Sequence, residues 1–180
     1  DAVTSTQWMF AGCWAFDQDI GSWALDSLAN MEGMFYRAYA FNQDINAWDT
    51  SGVTQMKQMF NDATAFNQDI SGWAVQSVTD MWQMFRGASS FNQDIGAWDI
   101  SGATSTKRMF QDASAFDQDI GDWAVDGVRD MDEMFLQASA FDQDLGWCLD
   151  DSVSLSSAFT STLCASTACG VLQGAACAPT

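Results

Sequence analysis

A 25-residue repeat constrains the fold of this chain more than any other feature. Two phenylalanine series keep the period through six units: Phe10, Phe35, Phe60, Phe85, Phe110 and Phe135, and Phe16, Phe41, Phe66, Phe91, Phe116 and Phe141. A single unit is too short to bury its own apolar side chains, so the units must stack on one another. The repeat predicts one elongated domain, with six units over residues 1–147 and a cysteine-bearing C-terminal cap and tail over residues 148–180.

Two spacings within a unit predict its secondary structure. The apolar residues of the segment 56–66 recur at the spacing of one helix face. In the segment 70–75, the Ile-x-x-Trp-x-Val pattern favours a very short strand. Strands that repeat in one direction can pair only in parallel. We therefore expect an α/β repeat: a right-handed, leucine-rich-repeat-like solenoid, with short parallel strands on one face and short helices on the other.

The repeat also resembles a known family. Stretches such as MFRGASSFNQDIGAWDISG, and the core M-F-x-x-A-x-x-F-N-Q-D-I-x-x-W over residues 3–147, are similar to the BspA-like leucine-rich-repeat family. This 25-residue domain-of-unknown-function repeat occurs in mycoplasma lipoproteins, other bacterial surface proteins and marine algae. The resemblance implies a surface location and an adhesive or binding role, with no catalytic residue to carry over. The tail from Trp147 to Gln173 departs from the repeat and is similar to the cysteine-bearing caps of algal members.

Charge and composition narrow the classes of partner and of chemistry. The chain has 6 Lys and Arg against 24 Asp and Glu, and its formal net charge of −18 argues against nucleic acid and anionic membrane surfaces. No stretch is long and apolar enough to insert into a membrane. The chain has no histidine and no Gly-rich phosphate loop, and its carboxylates repeat instead of forming one unique site. We expect no enzymatic activity and no cofactor, with calcium as a possible bound ion.

Four of the five cysteines crowd the last 33 residues: Cys148, Cys164, Cys169 and Cys177. An even cluster in a loop-rich segment favours two disulfides and an extracellular, oxidising compartment, although the spacing does not indicate which cysteines pair. A four-thiolate zinc site is the alternative. The fifth cysteine, Cys13, stands where the other units have alanine, which predicts a small buried residue with a free thiol.

One aspartate per unit forms the most regular polar series: Asp19, Asp44, Asp69, Asp94, Asp119 and Asp144. Stacking would bring neighbouring carboxylates about 5 Å apart, where like charges repel. In the structural interpretation, each aspartate accepts backbone N–H bonds within its own turn, and the adjacent glutamine bridges to the next unit. In the functional interpretation, calcium binds between successive carboxylates, although no glycine-spaced calcium loop is present.

Residues that break the repeat are the candidates for partner binding. Trp8, Trp14, Tyr39 and Trp82 stand where other units have mostly polar residues, so we expect them outside the core. Asp49 and Asp99 lie on the predicted strand face, and a flat acidic face of this kind is suited to docking a partner. Exposed tryptophan is more typical of assembly contacts than of sugar binding.

Together these features predict a noncatalytic extracellular surface or scaffold protein that mediates adhesion or assembly by protein–protein contact. A homotypic structural component of an extracellular fibre or sheath is one alternative. A calcium- or glycan-binding surface module is another. The expected partner is a protein or a second copy of the chain, with a glycan as the lesser candidate.

Overall fold

Regular secondary structure is confined to the C-terminal segment of the computed structural model, which describes residues 3–177. Strand β1 (Cys148–Leu149) is followed by a 3₁₀-helix (Ala165–Gly170), strand β2 (Leu172–Gln173) and a second 3₁₀-helix (Gly174–Cys177). The two strands pair in parallel, with Cys148 opposite Leu172. Elsewhere in the described residues, strand-like pairing is limited to isolated parallel bridges. These bridges join Ser5 to Asn30, Asn30 to Gln55, Asp80 to Ser105, Ser105 to Asp130 and Asp130 to Ser154.

The predicted α/β solenoid, with a helix and a strand in every unit, is therefore wrong. In the segment 56–66, Gln58 and Asp62 have φ values of 54° and 57°, which lie in the left-handed region and interrupt a right-handed helix. The N–H of Phe60 donates to the carbonyl of Met84 in the next unit, at 2.9 Å, instead of bonding four residues back. The segment is a run of tight turns.

The predicted strand is a turn as well. The N–H of Trp73 donates to the carbonyl of Ile70, at 3.1 Å, and this bond closes a reversal of the chain. Trp23, Trp48, Trp98 and Trp123 make the same bond to the isoleucine three residues earlier. Ile-x-x-Trp is therefore a turn motif, and no leucine-rich-repeat strand is present at these positions.

The units stack through backbone hydrogen bonds between corresponding segments. In the first unit, the N–H groups of four alternate residues donate to carbonyls 24 residues further along, at 2.7–2.9 Å. The four bonds run from Thr6 to Asn30, Trp8 to Glu32, Phe10 to Met34 and Gly12 to Tyr36. The second and fourth donors have left-handed backbone, as do all of their counterparts in later units. This conformation turns alternate N–H groups toward the neighbouring unit.

Aromatic columns fill the core along the stack. Consecutive rings of the column that begins at Phe10 lie 5.4–5.8 Å apart, and those of the column from Phe16 lie 5.8–6.0 Å apart. The indole N–H of Trp73 donates to the carbonyl of Ile45 in the preceding unit, at 3.2 Å, and Trp48, Trp98 and Trp123 do the same. The five residues of the predicted apolar stripe in the segment 56–66 are fully buried, so the sequence identified these buried side chains correctly: Met56, Met59, Phe60, Ala63 and Phe66.

Side chains of the first unit are less buried than their counterparts in the later units. Cys13 is exposed, so its predicted burial is wrong, whereas the corresponding alanines are fully buried. Each of those alanines has a unit on both sides, but no described residue covers the outer side of the first unit. Phe10 and Phe16 are only partly buried for the same reason.

A cap covers part of the other end. Two disulfides join Cys148 to Cys177 and Cys164 to Cys169, with Cα–Cα distances of 5.5 and 4.8 Å. The prediction that these four cysteines form disulfides is confirmed. The N–H of Leu145 donates to the carbonyl of Cys169, and that of Leu172 donates to the carbonyl of Trp147, both at 2.8 Å. The cap therefore adds a seventh layer to the stack.

Candidate functional site

The first unit carries most of the large apolar side chains that are exposed among residues 3–177. We call its outer side the N-terminal face and define it by Val3, Trp8, Met9, Trp14 and Trp23, which are 51%, 40%, 47%, 66% and 38% exposed. Part of it is an apolar recess of about 490 Å³ between Met9 and Trp23. Clustered exposed aromatic and aliphatic side chains are characteristic of a contact surface.

Trp8 is held in place by the second unit. Its ring meets that of Tyr36 edge to face, with centroids 5.6 Å apart. Its N–H donates to the carbonyl of Glu32 at 2.9 Å. The indole lies on Gly33, where a Cβ atom would overlap the ring. Gly33 thus makes room for Trp8, and the tryptophan is a fixed part of the N-terminal face.

Trp14 of the N-terminal face forms an exposed aromatic pair with Tyr39, which lies beside the face. Their rings are 6.3 Å apart with an interplanar angle of 27°, and Tyr39 is 40% exposed. Hydroxyl side chains take the same place in the later units, and each donates to a carbonyl of the preceding unit at 3.2–3.5 Å: Thr64, Ser89, Ser114 and Ser139. The aromatic pair is therefore a property of the N-terminal end alone.

The remaining predicted partner residues lie elsewhere on the stack. Trp82, in the fourth unit, is half-buried, and its backbone N–H donates to Asp80 Oδ1 at 2.9 Å. Asp49 and Asp99 are exposed, and their Oδ1 atoms accept the N–H groups of Ser51 and Ser101 at 2.9 and 3.0 Å. Hydrogen bonds from the side chains and backbone of these serines hold the pKa of both carboxyls below the ordinary value. The structure does not bring these three residues together with the N-terminal face.

The aspartates that were candidates for calcium binding make hydrogen bonds within their own turns. The Oδ1 atoms of five members accept the N–H two residues further on, at 2.9–3.0 Å: Asp19, Asp44, Asp69, Asp94 and Asp119. The sixth, Asp144, lies against Gly170 of the cap. Among residues 3–177, no group of three or more His, Cys, Asp or Glu side chains is arranged to hold a metal ion. Calcium binding stays a prediction.

A second polar series links the units. The side-chain oxygen of each of its first five members accepts the backbone N–H of its counterpart in the next unit, at 2.9 Å: Asp17, Asn42, Asn67, Asn92 and Asp117. The Nε2 atom of Gln68 bonds to the carbonyl of Asn42 at 2.9 Å, so the glutamines bridge to the preceding unit and not to the next one as predicted. This regular acidic and amide edge is explained by stacking.

The basic residues are mostly paired along one side of the stack. Arg37 contacts Asp62 at 3.4 Å, and Lys57 contacts Asp80 at 2.8 Å. Further pairs join Arg86 to Asp62 and Asp112, Lys107 to Asp130 and Asp132, and Arg108 to Glu133. Of the six basic residues, only Arg129 lies outside these pairs, so the remaining surface carries unneutralised carboxylates.

The sequence analysis missed a second surface at the other end. We call it the C-terminal face and define it by the segment 155–163 together with Leu172. Leu163 and Leu172 are 64% and 48% exposed. A shallow recess of about 230 Å³ lies between Ala158 and Ala168. The available signal was Phe159, which follows Phe135 by 24 residues and continues the first phenylalanine series after a one-residue deletion.

None of the helices within residues 3–177 has the length and apolar character needed to cross a membrane.

Comparison with known proteins identifies a repeat family. The family model described as "Mycoplasma protein of unknown function, DUF285" matches residues 1–88 and again residues 68–168. This finding supports the predicted repeat family but does not extend to the BspA-like leucine-rich-repeat label. No curated protein and no solved structure matches the chain. Because the two matches together cover most of the sequence, the chain belongs to this Mycoplasma protein family of unknown function, DUF285.

Proposed function

We propose that the protein is a noncatalytic extracellular surface or scaffold module that mediates adhesion or assembly by protein–protein contact through its N-terminal face. The observation that carries the proposal is the distribution of exposed apolar residues. Of the eight large hydrophobic side chains that are exposed among residues 3–177, six lie within residues 3–39. Burying aromatic side chains such as Trp8 and Trp14 is the main source of affinity at many protein interfaces.

The extracellular placement rests on the cap. Two disulfides in one short segment are consistent with an extracellular protein, since thiols stay reduced in most cytosols. The resemblance to surface repeat proteins supports the same placement. The net charge of −18 favours contact with neutral or basic partners over anionic ones.

Photo-crosslinking tests the contact role. A benzophenone amino acid replaces Tyr39, beside the N-terminal face, and the protein is irradiated in its native surroundings. The matched control carries the same probe at Ser114, an exposed position of the same column in the middle of the stack. We expect protein adducts at position 39 and far fewer at position 114.

The products distinguish the alternatives. A protease-sensitive adduct supports protein contact, and mass spectrometry then identifies the partner. Adducts to carbohydrate alone would replace the proposal with glycan binding. Equal yields at both positions, or no adduct at position 39, would contradict a contact role for the N-terminal face.

A further inference from the structure

The N-terminal face has unpaired hydrogen-bond acceptors in a regular row. Within the described residues, the carbonyls of Ser5, Gln7, Met9 and Ala11 accept no hydrogen bond. Their counterparts in the second unit each accept an N–H from the preceding unit: Asn30, Glu32, Met34 and Tyr36. The indole N–H of Trp23 also has no partner among residues 3–177, although those of its counterparts Trp48, Trp73, Trp98 and Trp123 each donate to the unit before.

The C-terminal face has the complementary row of donors. In the sixth unit, four alternate N–H groups donate to the seventh layer at 2.8–2.9 Å: those of Met131, Glu133, Phe135 and Gln137. In the seventh layer, the corresponding N–H groups find no acceptor among the described residues: those of Leu155, Ser157, Phe159 and Ser161. Ser157 and Ser161 have φ values of 55° and 66°, the left-handed conformation of donors inside the stack. The donor row is therefore preformed.

The side chains of the two faces also match in position. Leu163 follows Phe159 by four residues, as Trp14 follows Phe10, and these two are the most exposed large apolar residues in the described chain. The residues between them in this column are the aromatic Tyr39 and then the small residues Thr64, Ser89, Ser114 and Ser139. At another position, Met9 protrudes from one face, and small Ala158 lies at the recess of the other. Trp14 and Leu163 therefore occupy equivalent positions at opposite ends of one column.

We propose that copies of this chain associate head to tail, with the C-terminal face of one copy donating its four N–H groups to the four carbonyls of the N-terminal face of the next. The proposal rests on the contact role of the N-terminal face and names a second copy as the partner. Pairing two N-terminal faces is disfavoured because acceptors would oppose acceptors. The contact is heterologous and leaves one free end of each kind, so it produces linear oligomers.

Charge regulates this association. Each copy carries a formal net charge of −18, so two copies repel one another. Added salt screens the repulsion between two such copies. We therefore expect larger oligomers at high ionic strength than at low ionic strength, the reverse of an association driven by opposite charges.

End-blocking variants test the proposal by analytical ultracentrifugation. Trp14→Asp places a charge on the N-terminal face only, and Leu163→Asp places one on the C-terminal face only. Wild type should give oligomers that grow with concentration, and each variant alone should stay monomeric, with association weakened about tenfold or more. An equimolar mixture of the two variants should give dimers and nothing larger, because each variant keeps one working face.

Ser114→Asp is the matched control, since it adds the same charge to the middle of the stack and should leave oligomer growth unchanged. If either end variant lacks a wild-type thermal melt, Met9→Asp or Leu172→Asp replaces it on the same face.

Wild type that is monomeric at all concentrations and salt levels would overturn head-to-tail association. So would oligomers that both end variants leave intact, or a variant mixture without dimers. Failure here leaves the contact role standing if residue 39 crosslinks to a different protein. Absence of any protein adduct at residue 39 would count against both.

Discussion

The first and sixth units share one repeat but lie in different surroundings. Phe10 is partly buried and Cys13 is exposed, whereas Phe135 and Ala138 are fully buried beneath the cap. The indole N–H of Trp23 has no partner among the described residues, whereas that of Trp123 donates to Ile95 at 3.0 Å. The difference teaches that burial and hydrogen bonding in this chain are set by the neighbouring unit, so equal sequences contribute unequal stability.

Truncating the first phenylalanine column at its two ends gives the largest expected contrast. Phe135→Ala removes a fully buried ring and should lower the free energy of unfolding by about 3–5 kcal/mol. Phe10→Ala removes a partly buried ring and should cost roughly half as much. Urea denaturation of both variants measures the difference. Equal losses would show that the first unit is covered as well as the sixth.

Opening the cap should have the next largest effect. The Cys148–Cys177 disulfide closes a segment with a sequence separation of 29, and the paired change Cys148→Ser with Cys177→Ser should cost about 3–4 kcal/mol. Cys13→Ser, in an exposed free cysteine, should change stability by less than about 0.5 kcal/mol. Thermal unfolding of the three proteins gives the comparison. A loss at Cys13 as large as that at the cap would contradict it.

Replacing tryptophan by phenylalanine isolates the indole hydrogen bond. Trp123→Phe removes the indole N–H that donates to the carbonyl of Ile95 and should cost about 0.5–1.5 kcal/mol, since that carbonyl keeps the backbone N–H of Trp98. Trp23→Phe loses no such bond and should cost well under about 1 kcal/mol. Chemical denaturation monitored by far-UV circular dichroism avoids the loss of a fluorophore. Similar values for the two variants would indicate that the indole bond contributes little.

Asp132→Asn tests the polar link between the sixth unit and the seventh layer, with a small expected effect. Asp132 accepts bonds from the Ser154 hydroxyl and the Ser156 N–H and contacts Lys107, and these interactions lower the pKa of its carboxyl. The stabilisation is present above the unfolded pKa of about 3.9 and is lost as pH falls through the lower folded pKa.

We therefore expect Asp132→Asn to cost about 0.5–1 kcal/mol at pH 7 and to match wild type in strong acid. Asp122→Asn is the control, because Asp122 is exposed and makes no hydrogen bond to a described residue. Unfolding midpoints at a series of pH values measure both variants. A deficit that persists unchanged in acid would show that the ionised carboxylate is not responsible.

The sequence predicted the unit length, the buried columns and the disulfide cysteines, because each depends on side-chain chemistry that recurs with the period. It did not predict the backbone. An apolar spacing of three and four residues suits a helix and a run of tight turns equally, as the segment 56–66 demonstrates. The distinguishing signal was weak: Gly12, Gly33 and Gly87 occupy the two left-handed positions, but polar residues such as Gln58 hold most of the others.

The candidate site was predicted in part for a related reason. Trp8, Trp14 and Tyr39 break a polar column, so their side chains identified the N-terminal face. The C-terminal face depends on backbone N–H groups in the segment 155–161, which every residue except proline carries. The residue types in this segment could not indicate that its N–H groups lack acceptors, because the acceptors are carbonyl groups of a neighbouring layer.

Amide hydrogen exchange in dilute solution tests most directly the claim that alternate N–H groups bind each unit to the next. Met131, Glu133, Phe135 and Gln137 donate to the seventh layer and should exchange slowly. Leu155, Ser157, Phe159 and Ser161, the equivalent residues without acceptors among the described residues, should exchange at close to the rate of an unprotected chain. Equal protection of the two sets would contradict the account, as would rapid exchange of the first set.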